Sequence, residues 1–124
     1  METIIRNATS TSPYLEMNSM NGEIIIKGRA IDYNPNDFWS TINNLTIEYF
    51  ENPKQLTTIN LNFEYINTQS TKKLFFLLKL IESNNSNNTN IKINWICKQD
   101  DVDMIDMGED INALLLNDMI ILNS

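Results

Sequence analysis

Apolar and polar residues alternate along residues 57–64, and this period of two predicts a strand with one buried face. A hydroxyl-rich stretch follows at residues 65–72. Beyond it the apolar positions recur at helical spacing, at Leu74, Leu77, Leu78 and Ile81. We therefore predict a helix over residues 70–83, joined to the strand by a loop that contains Thr68.

Strands are also predicted on both sides of this central unit. Residues 14–17 and 23–27 show strand patterns, and the Asn21-Gly22 pair between them is a strong signal for the turn of a β-hairpin. Residues 91–97 are almost continuously apolar or aromatic, which is typical of a strand inside a sheet. Residues 119–122 are predicted to form a closing strand.

Two further helices are predicted. The first should run over residues 36–51, with Asn34 as its capping residue and Pro35 at its first position. Its buried stripe is expected at Phe38, Ile42, Leu45 and Tyr49. The other is a shorter helix over residues 102–115, which follows an acidic stretch.

The predicted elements have the order ββαβαβαβ and indicate one α/β domain over residues 1–124. Two β-α-β crossovers imply a mixed sheet that contains parallel pairs and is covered by helices. Residues 84–90 are rich in asparagine, and they are expected to form a polar surface loop rather than a site.

The charge of the chain narrows the classes of function. Its 16 acidic and 9 basic residues give a net charge of -7, which argues against binding to nucleic acid or to anionic membrane surfaces. No apolar run approaches the length of a membrane span, and the first residues lack the pattern of a signal peptide. A cytoplasmic protein is therefore expected.

The side chains that commonly carry catalysis are scarce. The chain has no histidine and one cysteine, Cys97, which excludes the usual catalytic triads and most zinc sites. Cys97 is expected to pack as a small apolar residue. The aspartates of residues 100–110 could in principle bind a hard cation, but their spacing fails the calcium-loop pattern, and an acidic helix cap or a partner-contact surface is favoured. No cofactor and no metal ion are expected.

Thr68 has two interpretations at this level. A hydroxyl at a helix start can cap the helix, and Asn67, Thr68 and Ser70 all suit that role. Alternatively Thr68 is a phosphorylation site, because Lys72 lies four residues further on and would share its helix face if the helix begins that early.

Four segments in order resemble the SiaC family of bacterial regulatory phosphoproteins, over nearly the whole chain. The first is Ala-Thr-Ser-Thr-Ser-Pro at residues 8–13, which resembles a Thr-Pro lead-in to the first strand. The second is residues 22–28 with Tyr-Asn-Pro-Asn-Asp-Phe-Trp at residues 33–39, which resembles the second strand and the start of the first helix.

The third segment, Tyr-Ile-Asn-Thr-Gln-Ser-Thr-Lys at residues 65–72, matches the family's signature around a threonine. The fourth resembles the family's Trp-Tyr, acidic and Gly-Glu-Asp-Phe run, with Asn94-Trp95 followed by the aspartates and the Gly-Glu-Asp of residues 100–110. Four residues depart from the family's pattern: Ala30, Tyr33, Gln69 and Ile111.

The resemblance implies a fold similar to the STAS domains of anti-sigma-factor antagonists and a switch protein that is not an enzyme. It implies that Thr68 is phosphorylated by a dedicated Ser/Thr kinase of the histidine-kinase-like ATPase fold and dephosphorylated by a PP2C-type phosphatase. The unphosphorylated protein would bind and activate a diguanylate cyclase, in c-di-GMP signalling and biofilm control. The neighbours that partners would contact are Asn67, Gln69, Ser70 and Lys72.

Two other hypotheses remain at this stage. The protein could be a constitutive adaptor in which Thr68 only caps a helix. Less favoured is a metal-dependent enzyme that uses the acidic cluster of residues 100–110.

Overall fold

Six strands form one mixed sheet in which the order of the strands is their order along the chain. The computed structural model describes residues 3–85 and 88–124. Its strands are β1 (Thr3–Arg6), β2 (Tyr14–Asn18), β3 (Glu23–Ala30), β4 (Leu56–Ile66), β5 (Asn90–Cys97) and β6 (Met119–Asn123). Its helices are α1 (Asn36–Phe50), α2 (Thr68–Glu82) and α3 (Val102–Ala113).

The first three strands pair antiparallel, and β3 to β6 pair parallel. Each parallel pair is joined by one helix, and β-α-β crossovers are right-handed, so successive helices fall on the same face of the sheet. Contacts across the layers agree: the Tyr49 hydroxyl of α1 lies 2.8 Å from the Thr57 hydroxyl, and Trp95 of β5 donates to the Met104 carbonyl of α3 at 2.9 Å. The predicted mixed α/β fold is confirmed.

The predicted order lacks one strand, β1. The observed order of the elements is βββαβαβαβ. The strand β1 has only four residues, and Ile5 on it is 55% exposed, so its sequence carries little alternation. It pairs antiparallel with β2, and one of its side chains also reaches α1. Arg6 forms an ion pair with Asp37 at 2.6 Å and lies over the ring of Phe38, both of which belong to α1.

The start of α1 differs from the prediction. Pro35 occupies the N-cap position, no side chain caps the helix, and the first helical residue is Asn36. Asn34 is not the cap, because it lies one residue too early; its backbone N–H donates to the Asp32 carboxylate at 3.2 Å. Of the stripe predicted for this helix, all but the half-buried Leu45 are buried, namely Phe38, Ile42 and Tyr49.

The core lies between the sheet and the helices. The alternation predicted for β4 is confirmed, since Ile59, Leu61 and Phe63 are at most 3% exposed. The helix α2 buries its predicted stripe against them, at Leu74, Leu77, Leu78 and Ile81. The boundaries of these elements agree with the sequence patterns to within two residues at each end.

The opposite face of the sheet has no helix on it in the part of the chain that the structure describes. Register places Ile25, Asn60, Asn94 and Ile120 side by side across this face. The side-chain amide of Asn94 donates to the side-chain oxygen of Asn60 at 2.8 Å, which links two central strands. None of the described helices is both long enough and apolar enough to cross a lipid bilayer.

The helix α3 is held to the sheet by Trp95, which is 1% exposed. A Cβ atom at Gly108 would lie 2.6 Å from Cδ1 of the indole ring, so this helix approaches the ring more closely than any other residue would allow. The Nε1–H of the same ring donates to the Met104 carbonyl. The contacts of Trp95 therefore fix where α3 lies.

Candidate functional site

The helix α2 begins at Thr68, and the residue that caps it is Asn67. The Asn67 side-chain oxygen accepts a hydrogen bond from the Ser70 N–H at 2.9 Å. Its side-chain amide donates to the Asp32 carbonyl at 3.2 Å, and its backbone N–H donates to the Ala30 carbonyl at 2.9 Å. Asn67 therefore caps the helix and also ties its start to the loop between β3 and α1.

Thr68 occupies the first position of the helix, and it is exposed. Its hydroxyl takes no part in capping α2, since the side-chain hydrogen bond that caps the helix is accepted by Asn67. The hypothesis that Thr68 is the helix cap is therefore wrong. The N–H groups of the first turn and the helix dipole give this end of α2 a partial positive charge, which favours an anion at Thr68.

A hollow of about 310 Å³ lies beside Thr68. It is lined by Ile31, Tyr33, Asn67, Thr68 and Gln69. Tyr33 is 96% exposed, and it comes from the β3–α1 loop that Asn67 holds in place. Neither Ile31 nor Tyr33 was proposed as a site residue, because neither stands near Thr68 in the sequence.

The residues predicted to surround Thr68 divide into two groups. Gln69 and Lys72 are exposed, and Lys72 lies one helical turn beyond Thr68 on α2. Asn67 is half-buried, and Ser70 is 1% exposed with a hydroxyl that has no hydrogen-bond partner within the described residues. A partner can reach Gln69 and Lys72 directly, whereas Ser70 lies beneath the surface, contrary to the expectation for it.

The acidic segment forms the start and the exposed side of α3. Asp101 is the N-cap, and its carboxylate accepts from the Met104 N–H at 3.2 Å. Asp103, Asp106 and Asp110 follow on exposed positions. Across residues 3–85 and 88–124, no three acidic or thiol side chains come close enough to hold a metal ion. The predicted acidic helix cap is confirmed for Asp101.

Cys97 packs in the core at 3% exposure, as predicted. Burial raises the pKa of its thiol, and the nearby charge of Asp101 raises this pKa further. Because the thiolate is the reactive form, the thiol has neither the ionisation nor the access that nucleophilic chemistry needs.

We expect Cys97 in the folded protein to react with Ellman's reagent at least about 100-fold more slowly than in the urea-unfolded chain. Both rates are measured at the same pH by absorbance. A native rate close to the unfolded rate would contradict the buried position. Glutathione in the two urea concentrations serves as the control for the effect of urea on the reagent.

Comparison with known proteins identifies the family that the chain matches and the solved structures that share its fold. The family model described as "SiaC family regulatory phosphoprotein" matches residues 6–123. A search among curated protein sequences finds no match. Among solved structures, one similar chain belongs to the crystal structure of the diguanylate cyclase SiaD in complex with its activator SiaC, from Pseudomonas aeruginosa. It superposes with a TM-score of 0.90 at 14% identity, and the match covers 98% of this chain and 99% of that chain.

Two further structures from the same organism share the fold. Apo-SiaC has a TM-score of 0.81, with 14% identity and coverage of 98% of this chain and 99% of its own. Another SiaC structure has a TM-score of 0.89, with 14% identity and coverage of 100% of both chains. The arrangement of six strands and three helices around the Thr68 helix start is therefore that of SiaC structures.

Proposed function

The chain belongs to the SiaC family of regulatory phosphoproteins, and we propose that it is a non-enzymatic signalling switch controlled by reversible phosphorylation of Thr68. The proposal treats residues 1–124 as one regulatory domain that acts in the cytoplasm. Its partners would be a Ser/Thr kinase of the histidine-kinase-like ATPase fold, a PP2C-type phosphatase and an effector. The effector proposed is a diguanylate cyclase, because the SiaC of P. aeruginosa is described as the activator of one.

The position of the Thr68 hydroxyl carries the proposal. It is exposed at the first residue of α2, and the capping of that helix falls to Asn67. A kinase can therefore reach and modify the hydroxyl without removing a hydrogen bond that holds the helix start. The partial positive charge of the helix N-terminus and the Lys72 ammonium one turn away would both stabilise the added phosphate.

Phosphorylation would change the surface rather than the fold. A phosphate adds close to two negative charges beside the hollow that Tyr33 and Gln69 line. An effector that packs against this region when Thr68 is unmodified would have to desolvate those charges or oppose them with its own. The effector would therefore bind the unmodified protein more tightly than the phosphorylated protein, and this difference in binding free energy would release it on phosphorylation.

Thr68→Glu is expected to weaken binding to the cognate diguanylate cyclase by about tenfold or more, whereas Thr68→Ala should bind as the unmodified protein does. Ser40→Glu is the matched control, because it adds a carboxylate to an exposed hydroxyl position on α1. Isothermal titration calorimetry against the purified cyclase measures all four proteins. Equal affinity of the glutamate and alanine variants at position 68 would contradict the switch.

Modification itself can be tested in protein purified from its native host. A species heavier by about 80 Da, the mass of one phosphoryl group, should map to Thr68 and disappear in Thr68→Ala. Because Asn67 is the cap, Thr68→Ala should change the free energy of unfolding by less than about 0.5 kcal/mol. Absence of the heavier species from host protein, with the kinase expressed, would count against the proposal.

A further inference from the structure

A groove runs between α2 and α3 on the outer side of the helical layer. The helix α2 packs more closely against α1 than against α3, and a space of about 570 Å³ is left between α2 and α3. Phe75 and Met107 form the base of this groove and contact the core beneath it. Phe76 and Leu114 line it while 66% and 64% exposed. The groove therefore presents apolar surface that the described residues leave uncovered.

Its side along α3 is acidic. Asp103, Asp106 and Asp110 line the groove at intervals of three and four residues, so they stand on one face of the helix. None of the three forms an ion pair with a cation in the described parts of the chain. Lys72 is the single basic residue among those that line the groove. Like charges held together in this way favour a cationic occupant.

We infer that the groove binds an amphipathic helix of a partner protein, with apolar side chains on its base and lysines or arginines against the three aspartates. Helix-in-groove binding uses apolar residues at i, i+3, i+4 and i+7, which suits a narrow apolar base flanked by charge. From Asp103 to Asp110 the wall spans about 10 Å, or two helical turns, so basic residues with the same spacing would face it.

A strand is a poorer fit to the groove. Both of its walls are helices, whose backbone N–H and C=O groups are bonded within the helix, so there is no open backbone edge for strand addition. A second copy of this chain is disfavoured by charge, since each copy carries a net charge of -7. The chemistry of the groove thus favours a basic helix from another protein.

This inference goes beyond the proposed function because it does not need Thr68 to be phosphorylated. The groove begins at Thr71 and Lys72, about one turn after Thr68, so the two surfaces are adjacent but distinct. Binding to the groove should therefore be the same in Thr68→Ala as in the unmodified protein. If Thr68 proves not to control partner binding, the groove can still bind the peptide. If the groove binds no peptide, phosphorylation of Thr68 can still control the effector.

The test uses a fluorescein-labelled helical peptide of about 18 residues, five turns, with leucines at a and d positions and flanking lysines. Fluorescence anisotropy should show saturable binding to the full-length protein that weakens as ionic strength rises. A scrambled peptide of the same composition, which cannot form an apolar face, should bind at least about tenfold more weakly. Equal binding of both peptides, or no saturable binding, would overturn the inference.

Substitutions then locate the site. The double variant D106K/D110K is expected to lose about tenfold or more in affinity, whereas the matched variant E48K/E51K at the C-terminal end of α1 should change it by less than about twofold. Phe76→Ser is a second variant that should weaken binding of the peptide, because it removes apolar surface from the groove. Its ring is exposed and contributes little to the core, so the variant should still fold. Equal losses in the two double variants would indicate attraction by net charge alone and overturn the inference. So would a dimer of the chain that D106K/D110K dissociates, since it would assign the groove to a second copy.

Discussion

Replacing Trp95 by alanine is expected to lower the free energy of unfolding by about 4 kcal/mol. Trp95 is 1% exposed, and the centroid of its ring lies 5.9 Å from that of Phe63. Gly108 of α3 packs directly against the indole ring. Its removal leaves a cavity under α3 and takes away the donor to the Met104 carbonyl. Domains of this size have about 5–15 kcal/mol of stability, so the loss is a large fraction of the total.

Urea unfolding followed by far-UV circular dichroism measures this change. Trp95→Phe is the matched variant, because it keeps an aromatic ring but loses the Nε1–H donor, and it should cost about 1–2 kcal/mol. An alanine variant that loses less than about 1 kcal/mol would show that the ring does not fix α3 to the sheet. Because α3 is one wall of the groove, Trp95→Phe should also weaken binding of the basic peptide.

Replacing Glu82 by alanine is expected to destabilise the protein by about 2–3 kcal/mol at neutral pH. Its side chain is 2% exposed, and its carboxylate accepts from Lys79 at 2.6 Å and from the N–H groups of Leu116 and Asn117 at 2.8 and 3.2 Å. The substitution leaves these donors without their acceptor. Glu51→Ala, an exposed carboxylate on the surface, should change stability by less than about 0.5 kcal/mol and serves as the control.

The same carboxylate should make stability depend on pH. Burial acts to raise the pKa of Glu82, but the hydrogen bonds from Lys79, Asn117 and Leu116, with the Lys79 charge, hold the pKa below its usual value of 4.5. The folded state therefore binds this proton less readily than the unfolded chain does. Its contribution is fully present above the unfolded pKa and is lost as the pH falls through the lower folded value.

Comparison of the unmodified protein with Glu82→Gln at several pH values isolates this effect. The difference in free energy of unfolding should be constant near neutrality and should shrink below about pH 4.5 as the carboxylate of the unmodified protein becomes protonated. A difference that stays constant down to about pH 3, more than one unit below the usual glutamate pKa of 4.5, would contradict the assignment.

Elements with strong periodicity were predicted well from the sequence. Each of the elements β4 and α2 buries one face, and the apolar residues of that face repeat at the period of the element. The repeat in the sequence therefore predicts both the type of element and the residues that it buries. The strand β1 escaped prediction because it has only four residues, lies at the edge of the sheet beside β2, and has no fully buried side chain. A short strand without a buried face leaves little hydrophobic pattern in the sequence.

The candidate site was predicted in part. The loop and its threonine were located by the strand before them and the helix after them, but the choice among Asn67, Thr68 and Ser70 as the cap depends on one residue of register. Tyr33 could be recognised as a neighbour of Thr68 only once the β3–α1 loop was placed. The groove between α2 and α3 was likewise invisible, because it depends on how far apart two helices pack.

The agreement between strand order and chain order has a consequence for how the molecule is made. Every strand after β1 pairs with the strand that precedes it, so each new pairing closes a loop no longer than one helix and its connections. The first four strands and α1 are complete by Ile66, before α2 has left the ribosome. The sheet can therefore grow one strand at a time during synthesis, because each strand from β2 to β6 adds to the strand translated just before it.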